Sequence, residues 1–368
     1  MDDAVTECPS CHVAVASSEQ FCEACGAELS PTVAVAEAVP SEASSQAIPA
    51  PQDLGVTAAI CQTCGGEVIS DGYCGTCGAR APTLRDHFTE QPAAWVAAVC
   101  DRGIRHPRNE DAVALAADDE PGSRAVIVVC DGVSSSIDSD VASLAAARAA
   151  RDVLGSSRSQ GMGTASSLVA AVIARLEAAT DAASEAVLGV THLAKVGAAT
   201  GNPASCTFVA AVVERDLLVV GSVGDSRVYW LPDAGTAVAL TVDDSFAQEQ
   251  IASGVPRAEA ETGPQSHAIT RWLGVDTPNH SPTTATMTLA EPGWILVCSD
   301  GLWNYCSEAQ DLATLVQKTS GGSPAAAEPL TLAGALVDWA NAQGGQDNIS
   351  VALARIQSLA PRSTREEA

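Results

Sequence analysis

The chain has 368 residues, room for one large domain or one accompanied by small modules. Its 45 acidic against 19 basic side chains give a formal charge of −26, a field that repels nucleic acid and anionic membrane and argues against both as partners. No apolar run approaches the roughly 18 residues that a membrane span needs, and the opening "MDDAVTECPS" is acidic, unlike a secretory leader. A cytoplasmic location is expected.

Eight of the 13 cysteines precede residue 80. In a reducing compartment such clusters point to metal rather than to disulfides. Residues 1–30 carry "CPSC" (Cys8, Cys11) and then "CEAC" (Cys22, Cys25), followed by Gly26. Residues 59–80 repeat the pattern with "CQTC" (Cys61, Cys64) and "CGTC" (Cys74, Cys77), followed by Gly78. Each C-x-x-C pair clamps one side of a tetrahedral ion, so two small zinc ribbons, each with one structural zinc, are expected. His12 adjoins the first set, where four thiolates already suffice. A redox use of these motifs would need a thioredoxin-like unit around them, and none is visible.

The first ribbon holds Asp2, Asp3, Glu7, Glu19, Glu23 and Glu28 but no Lys or Arg, which removes the electrostatic grip that nucleic-acid binding requires. Protein contact or a purely structural role fits better. The stretch 31–58, made largely of Ala, Pro, Ser and Glu, reads as a disordered tether, 81–93 as a shorter linker, and 359–368 as a disordered tail.

From 94 to 358 the texture changes. "AWVAAVCDRG", "AVALAAD", "RAVIVVCDG", "CTFVAAVVERDLLVVGSVGDSRVYWL", "HSPTTATMTL", "GWILVCSDG" and "NISVALARI" read as strands. "SDVASLAAARAARDVLG" has helical spacing and stops at Gly155. "SSLVAAVIARLEAATDAASEAVLG" is expected to stop near Gly189, and "AEPLTLAGALVDWANAQGG" is a third helix. Strands, two helices together and then strands again do not make a βαβ rhythm. The order suits two antiparallel sheets packed face to face with helices outside, an α+β arrangement. Cys100, Cys130, Cys206, Cys298 and Cys306 lie in or beside apolar runs and read as core thiols.

Single carboxylates keep appearing where these strands begin or end: Asp111, Asp131, Asp225, Asp300 and Asp347. One Asp-Gly is an ordinary turn. Five carboxylates on one rim would repel each other, and a divalent cation removes that conflict. Oxygen-only ligands point to Mg²⁺ or Mn²⁺. Two such ions can activate a water for phosphoester hydrolysis.

The ordered motifs "RNEDA", "VVCDG", "GDSRVYWL", "LTVDDS", "ITRWLG", "VCSDGLW" and "QDNISVAL" resemble the metal-dependent serine/threonine protein phosphatases of type 2C. The resemblance implies a four-layer αββα sandwich. It implies that Asp111, Asp131, Asp300 and Asp347 hold a pair of metal ions, joined by the backbone carbonyl of Gly132. Asp225 with Asp300 would form a weaker third position, and Glu110 would hold metal-bound water. Residues 246–268 would be a flap beside the site. Two departures stand out. His106 takes the place of the family's phosphate-binding arginine, flanked by Arg105 and Arg108, and Ser134–Ser135 replaces a glycine pair. The implied activity is hydrolysis of phosphoserine and phosphothreonine in proteins that serine/threonine kinases modify. The alternative is a silent adaptor that binds partner proteins through its ribbons.

Overall fold

A computed structural model describes residues 60–61, 63–194, 202–263 and 265–357, with backbone alone at 193–194, and the backbone of two short strands in the first thirty residues. The chain divides into two compact units, 1–52 and 53–368. In the first, β1 (Val5–Glu7) pairs antiparallel with β2 (Ala14–Ala16). Cys8, Cys11, Cys22 and Cys25, with 31–58 and 359–368, lie outside the described residues.

The second unit opens with a ribbon built from three isolated bridges, Ile60↔Glu67, Val68↔Cys74 and Tyr73↔Arg80. Gly65 and Gly78 each follow a C-x-x-C pair and both sit at φ 72°, a conformation that glycine adopts without penalty.

β3 (His87–Ala93) falls within the stretch expected to be a linker. It is instead the edge strand beside β4 (Val96–Asp101). Its side chains are mostly exposed or half-buried, so no apolar run marks it as a strand. β5 (Ala112–Ala117) and β6 (Arg124–Cys130) form a hairpin, followed by α1 (Ser139–Gly155) and α2 (Ala165–Ala194). α2 runs five residues past Gly189, because the roughly 1 kcal/mol that a mid-helix glycine costs is outweighed by burial of the next turn, where Thr191 is still buried.

The chain returns through β7 (Ser205–Cys206), β8 (Phe208–Glu214), β9 (Leu217–Val223), β10 (Arg227–Pro232) and β11 (Val238–Ala239). α3 (Phe246–Ala252) and α4 (Arg257–Ala260) occupy the expected flap. Then come β12 (Leu273–Gly274), β13 (Thr283–Thr288), β14 (Gly293–Cys298), α5 (Asp300–Trp303), α6 (Ala309–Thr319), α7 (Pro329–Gln343) and β15 (Ile349–Ile356).

Two main sheets result, ordered β11-β10-β14-β15-β4-β3 and β13-β9-β8-β6-β5, with every pairing antiparallel. Three apolar layers hold them. Val96, Ile127, Val129, Val220 and Ile295 fill the space between the sheets. Val126, Val128 and Phe208 meet Ala146, Ala150 and Leu176 of α1 and α2. Leu296, Val351 and Leu353 meet Leu312, Leu336 and Val337 of α6 and α7. The central strands β4, β6, β8, β9, β14 and β15 are buried on both faces, which is why they read as unbroken apolar runs rather than alternating ones. The architecture is the αββα sandwich expected from the sequence.

Gly301, at the start of α5, sits so close to β15 that a Cβ there would lie 2.0 Å from the carbonyl oxygen of Asn348. Gly301→Ala should therefore destabilise the domain by about 1–3 kcal/mol. Denaturant unfolding at wild-type midpoint would contradict this packing.

Candidate active site

The connections at one end of the sandwich converge on a cavity of about 270 Å³ lined by Asp131, Gly132, Ser134, Ser135, Asp225, Asp300 and Asp347. Asp131 ends β6, Asp225 lies between β9 and β10, Asp300 opens α5, and Asp347 precedes β15. Asp111, just before β5, is fully buried behind them and accepts from the Ser299 hydroxyl at 2.7 Å. The structure thus gathers the five predicted aspartates into one neighbourhood.

Their electrostatics show the strain of that grouping. Burial pushes Asp111 up to about 6, with the Asp347 charge adding to it. Burial, followed by the Asp243 charge, takes Asp225 to about 7. Asp131 keeps an edge open to the cavity, yet its surroundings and the charges of Asp111, Asp300, Asp347 and Asp225 lift it well above the usual range. Asp300 behaves alike, from burial and then Asp347 and Asp225. No donor reaches Asp111 Oδ1 or Asp300 Oδ1, although both atoms are buried. Unpaired buried carboxylate oxygens are costly, and hard divalent cations are the ligands that such an oxygen set suits. The residues present fit the metals expected from the sequence.

Gly132 is required by space: a Cβ would lie 2.7 Å from the Glu110 carbonyl and 2.8 Å from that of Ser139. Glu110 is buried, and its burial opposes ionisation, but Ser139, Ser134 and Arg108 outweigh this and hold it below the usual range. Arg108 grips Glu110 Oε1 through Nε at 2.9 Å and Nη2 at 2.8 Å. His106 places Nε2 at 3.3 Å from Asp347 and Nδ1 at 3.7 Å from Glu110. Arg105 is exposed and makes no side-chain bond or ion pair among the described residues. Of the three basic residues, His106 is the one that contacts both Glu110 and Asp347.

Several contributors were not visible in the sequence alone. Asn348 accepts from the Glu110 amide at 2.7 Å and donates to the carbonyls of Arg102 and Arg108, at 2.7 and 3.0 Å. Thr207 Oγ1 accepts from the Asp131 amide at 3.0 Å. Ser299 and Asn348 are neighbours of motif aspartates, so their position was the only signal. His267, from the flap, brings Nδ1 to 3.8 Å from Asp300, with 61% of its side chain exposed. The flap itself is rooted by Arg227, which pairs with Asp243 at 2.6 Å and Glu261 at 2.9 Å and stacks over Trp303 at 3.6 Å. Among the other cysteines, Cys100, Cys130, Cys206 and Cys298 are fully buried, and burial pushes the Cys100 thiol up to about 12, which suits an inert core role.

In the second ribbon, Sγ of Cys61, Cys64, Cys74 and Cys77 all lie within 4.8 Å of one another. The closest approaches are 3.7 Å (Cys61–Cys77) and 3.5 Å (Cys64–Cys74), near the roughly 3.8 Å edge of a tetrahedron with Zn–S bonds of about 2.3 Å. The amides of Cys77 and Thr76 draw the Cys74 thiol down to about 6, favouring the thiolate that zinc binds.

Known proteins match this picture. The Protein phosphatase 2C family model matches residues 104–339, and a Double zinc ribbon model matches 8–84. The serine/threonine phosphatase stp of Listeria welshimeri is 31% identical over 153 residues, which cover 41% of this chain and 57% of that protein. The match therefore spans little more than half the length of that curated relative. The Mycobacterium tuberculosis serine/threonine phosphatase PstP/Ppp superposes with a TM-score of 0.55 at 26% identity, over 71% of this chain and 98% of that one. A PstP catalytic domain in complex with two manganese ions shares the fold, with a TM-score of 0.52 at 23% identity, over 71% and 98% of the two chains. Fold and family model together define a domain of the protein phosphatase 2C type. The chain belongs to the protein phosphatase 2C family and carries a double zinc ribbon ahead of that domain.

The raised carboxylates also set a stability trend. In the folded, metal-free chain Asp111 and Asp225 titrate at about 6 and about 7, against roughly 4 when unfolded. Their contribution is then present below about pH 4 and is lost as pH rises towards 7. Neutralising one member should relieve the crowding. Asp300→Asn is expected to raise the metal-free melting temperature at pH 7.5 by about 2–4 °C. Calorimetry in EDTA showing an unchanged or lower value would refute it.

Proposed function

We propose that the chain hydrolyses phosphoserine and phosphothreonine in cytoplasmic phosphoproteins, the targets of serine/threonine kinases. The observation that carries this reading is the set of buried carboxylates sharing one rim with oxygens that no protein donor satisfies. Asp111, Asp131, Asp300, Asp347 and the Gly132 carbonyl would hold two Mn²⁺ or Mg²⁺ ions, with Asp225 and Asp300 at a third position. When bound, such ions neutralise phosphate charge and make water a stronger nucleophile near neutral pH. The two manganese ions bound by the PstP catalytic domain support the choice of metal.

The protein's own groups have separate tasks. Glu110, kept anionic by Ser139, Ser134 and Arg108, accepts hydrogens from water and orients it. His106, braced between Glu110 and Asp347, offers an N–H to a phosphate oxygen. It lacks the two-pronged grip of a guanidinium, so it binds phosphate less tightly than an arginine would. Ser134 and Ser135 line the cavity and add hydroxyl donors. The flap brings His267 to the cavity, beside Asp300. The adaptor alternative would be favoured by a missing carboxylate, and every one is in place. The two zinc ions are structural, one in each ribbon, and the motifs of the phosphatase domain include no ribbon residue.

Hydrolysis of a phosphothreonine peptide should require added Mn²⁺ or Mg²⁺ and fall at least about a hundredfold in Asp131→Asn. Activity that survives EDTA would contradict the metal site.

His106→Arg should lower KM for a small aryl phosphate by about tenfold, equivalent to roughly 1.4 kcal/mol. A KM unchanged in that variant, with turnover lost in Arg108→Ala instead, would move the phosphate contact to the neighbouring arginine.

A further inference from the structure

The last residues of the second ribbon touch the loop that carries His106. Arg80 lies three residues beyond Cys77 and is bridged to Tyr73 within the ribbon. Its Nη1 donates to the Pro107 carbonyl at 3.1 Å and to Asp86 at 3.1 Å. Pro107 is the immediate neighbour of His106. The same segment also reaches the C-terminal end of that loop, where Arg85 Nη2 donates to the Asp111 carbonyl at 2.8 Å. Asp86 completes the bracket by accepting the Arg102 amide on its carbonyl at 2.8 Å. Residues 80–86 therefore hold loop 102–111 at both ends. At Pro107, in the middle of the loop, the contact comes from a side chain whose backbone belongs to the zinc module.

That module has little else to hold it. Ile60, Ile69 and Tyr73 are 64, 48 and 47% exposed, so its larger apolar side chains do not form a core. A fold of this kind depends on its metal. Without zinc the Tyr73–Arg80 bridge loses its support, and the Arg80 guanidinium must be ordered anew each time it meets Pro107.

We propose that Arg80 is a positioning residue, through which zinc in the second ribbon fixes the His106 loop and so sets how tightly the site binds phosphate. The inference rests on the reading of His106 as the phosphate contact. It assigns the ribbon a part in substrate affinity, while the chemistry stays with the carboxylates.

The test uses the full-length chain loaded with zinc and Mn²⁺, with Arg80→Ala, Arg80→Lys and the double variant Cys74→Ser/Cys77→Ser. Three quantities are measured: the inhibition constant of inorganic phosphate, kcat and KM for p-nitrophenyl phosphate, and hydrogen–deuterium exchange over residues 103–109. Arg80→Ala and the cysteine variant should each weaken phosphate binding about three- to tenfold and raise KM in parallel. Their kcat should stay within about twofold, and the 103–109 amides should exchange faster. Arg80→Lys should recover most of the affinity, since one donor serves Pro107. Unchanged affinity and exchange in Arg80→Ala would overturn the proposal, as would a fall in kcat with phosphate affinity intact. A wild-type chain that hydrolyses nothing would defeat the proposed function instead. The exchange measurement would then still decide whether zinc and Arg80 order the loop.

Discussion

Mutual repulsion among carboxylates is the constraint on which the rest of this molecule turns. Asp111, Asp131, Asp225 and Asp300 are held where burial and their neighbours oppose ionisation, and two of their buried oxygens have no donor. A flexible loop would relax such a grouping by swinging one acid into water. Here each acid is attached to the end of a strand or helix packed on both faces, so none can leave without disturbing the core. The two sheets are therefore more than a scaffold. Their rigidity forces charges together that would otherwise separate, and leaves an oxygen set of the kind that hard divalent cations suit.

Around that centre, neutral and cationic groups divide the remaining work. Ser299, Thr207 and Asn348 satisfy the backbone and the outer oxygens of the site without adding charge. Arg108 is committed to Glu110, and Arg227 to the base of the flap, where it lies between two acids and an indole face. The chain as a whole is strongly acidic, yet arginines stand at the points where an acid must stay ionised or a loop must stay put. That distribution leaves His106 between two acids, Glu110 and Asp347, with no arginine among the described residues beside it in that role.

Much of this was legible in the residues. Helix α1 was read with its observed limits because Gly155 stops it and its alanines recur at helical spacing. The strands were legible because burial on both faces leaves unbroken apolar runs, and the aspartates because each adjoins such a run or a motif beside it. β3 was lost for the opposite reason: "HFTEQPA" is an edge segment whose polar side chains resemble a connector. Gly189 misled because glycine in open space need not end a helix whose next turn is still buried. The arrangement of His106, Arg105 and Arg108 could not be read at all. Loop 102–111 is shaped by Asn348 and Gly345, more than 200 residues away in sequence, and pattern within the loop carries no trace of them.

The central position of β15 has a consequence for how the protein comes into being. It lies between β14 and β4, and Asn348 at its threshold joins the Glu110 amide to the loop around Arg102. A chain emerging from the ribosome thus carries Asp111 and Asp131, which flank strands of the facing sheet, for most of its synthesis before the strand that completes the sheet of β4 and β14 is made. During that interval β4 and β14 have no partner between them, and the Glu110 amide lacks the Asn348 side chain to which it donates. Topology thus leaves this sheet open until residues 347–356 take their place between β14 and β4.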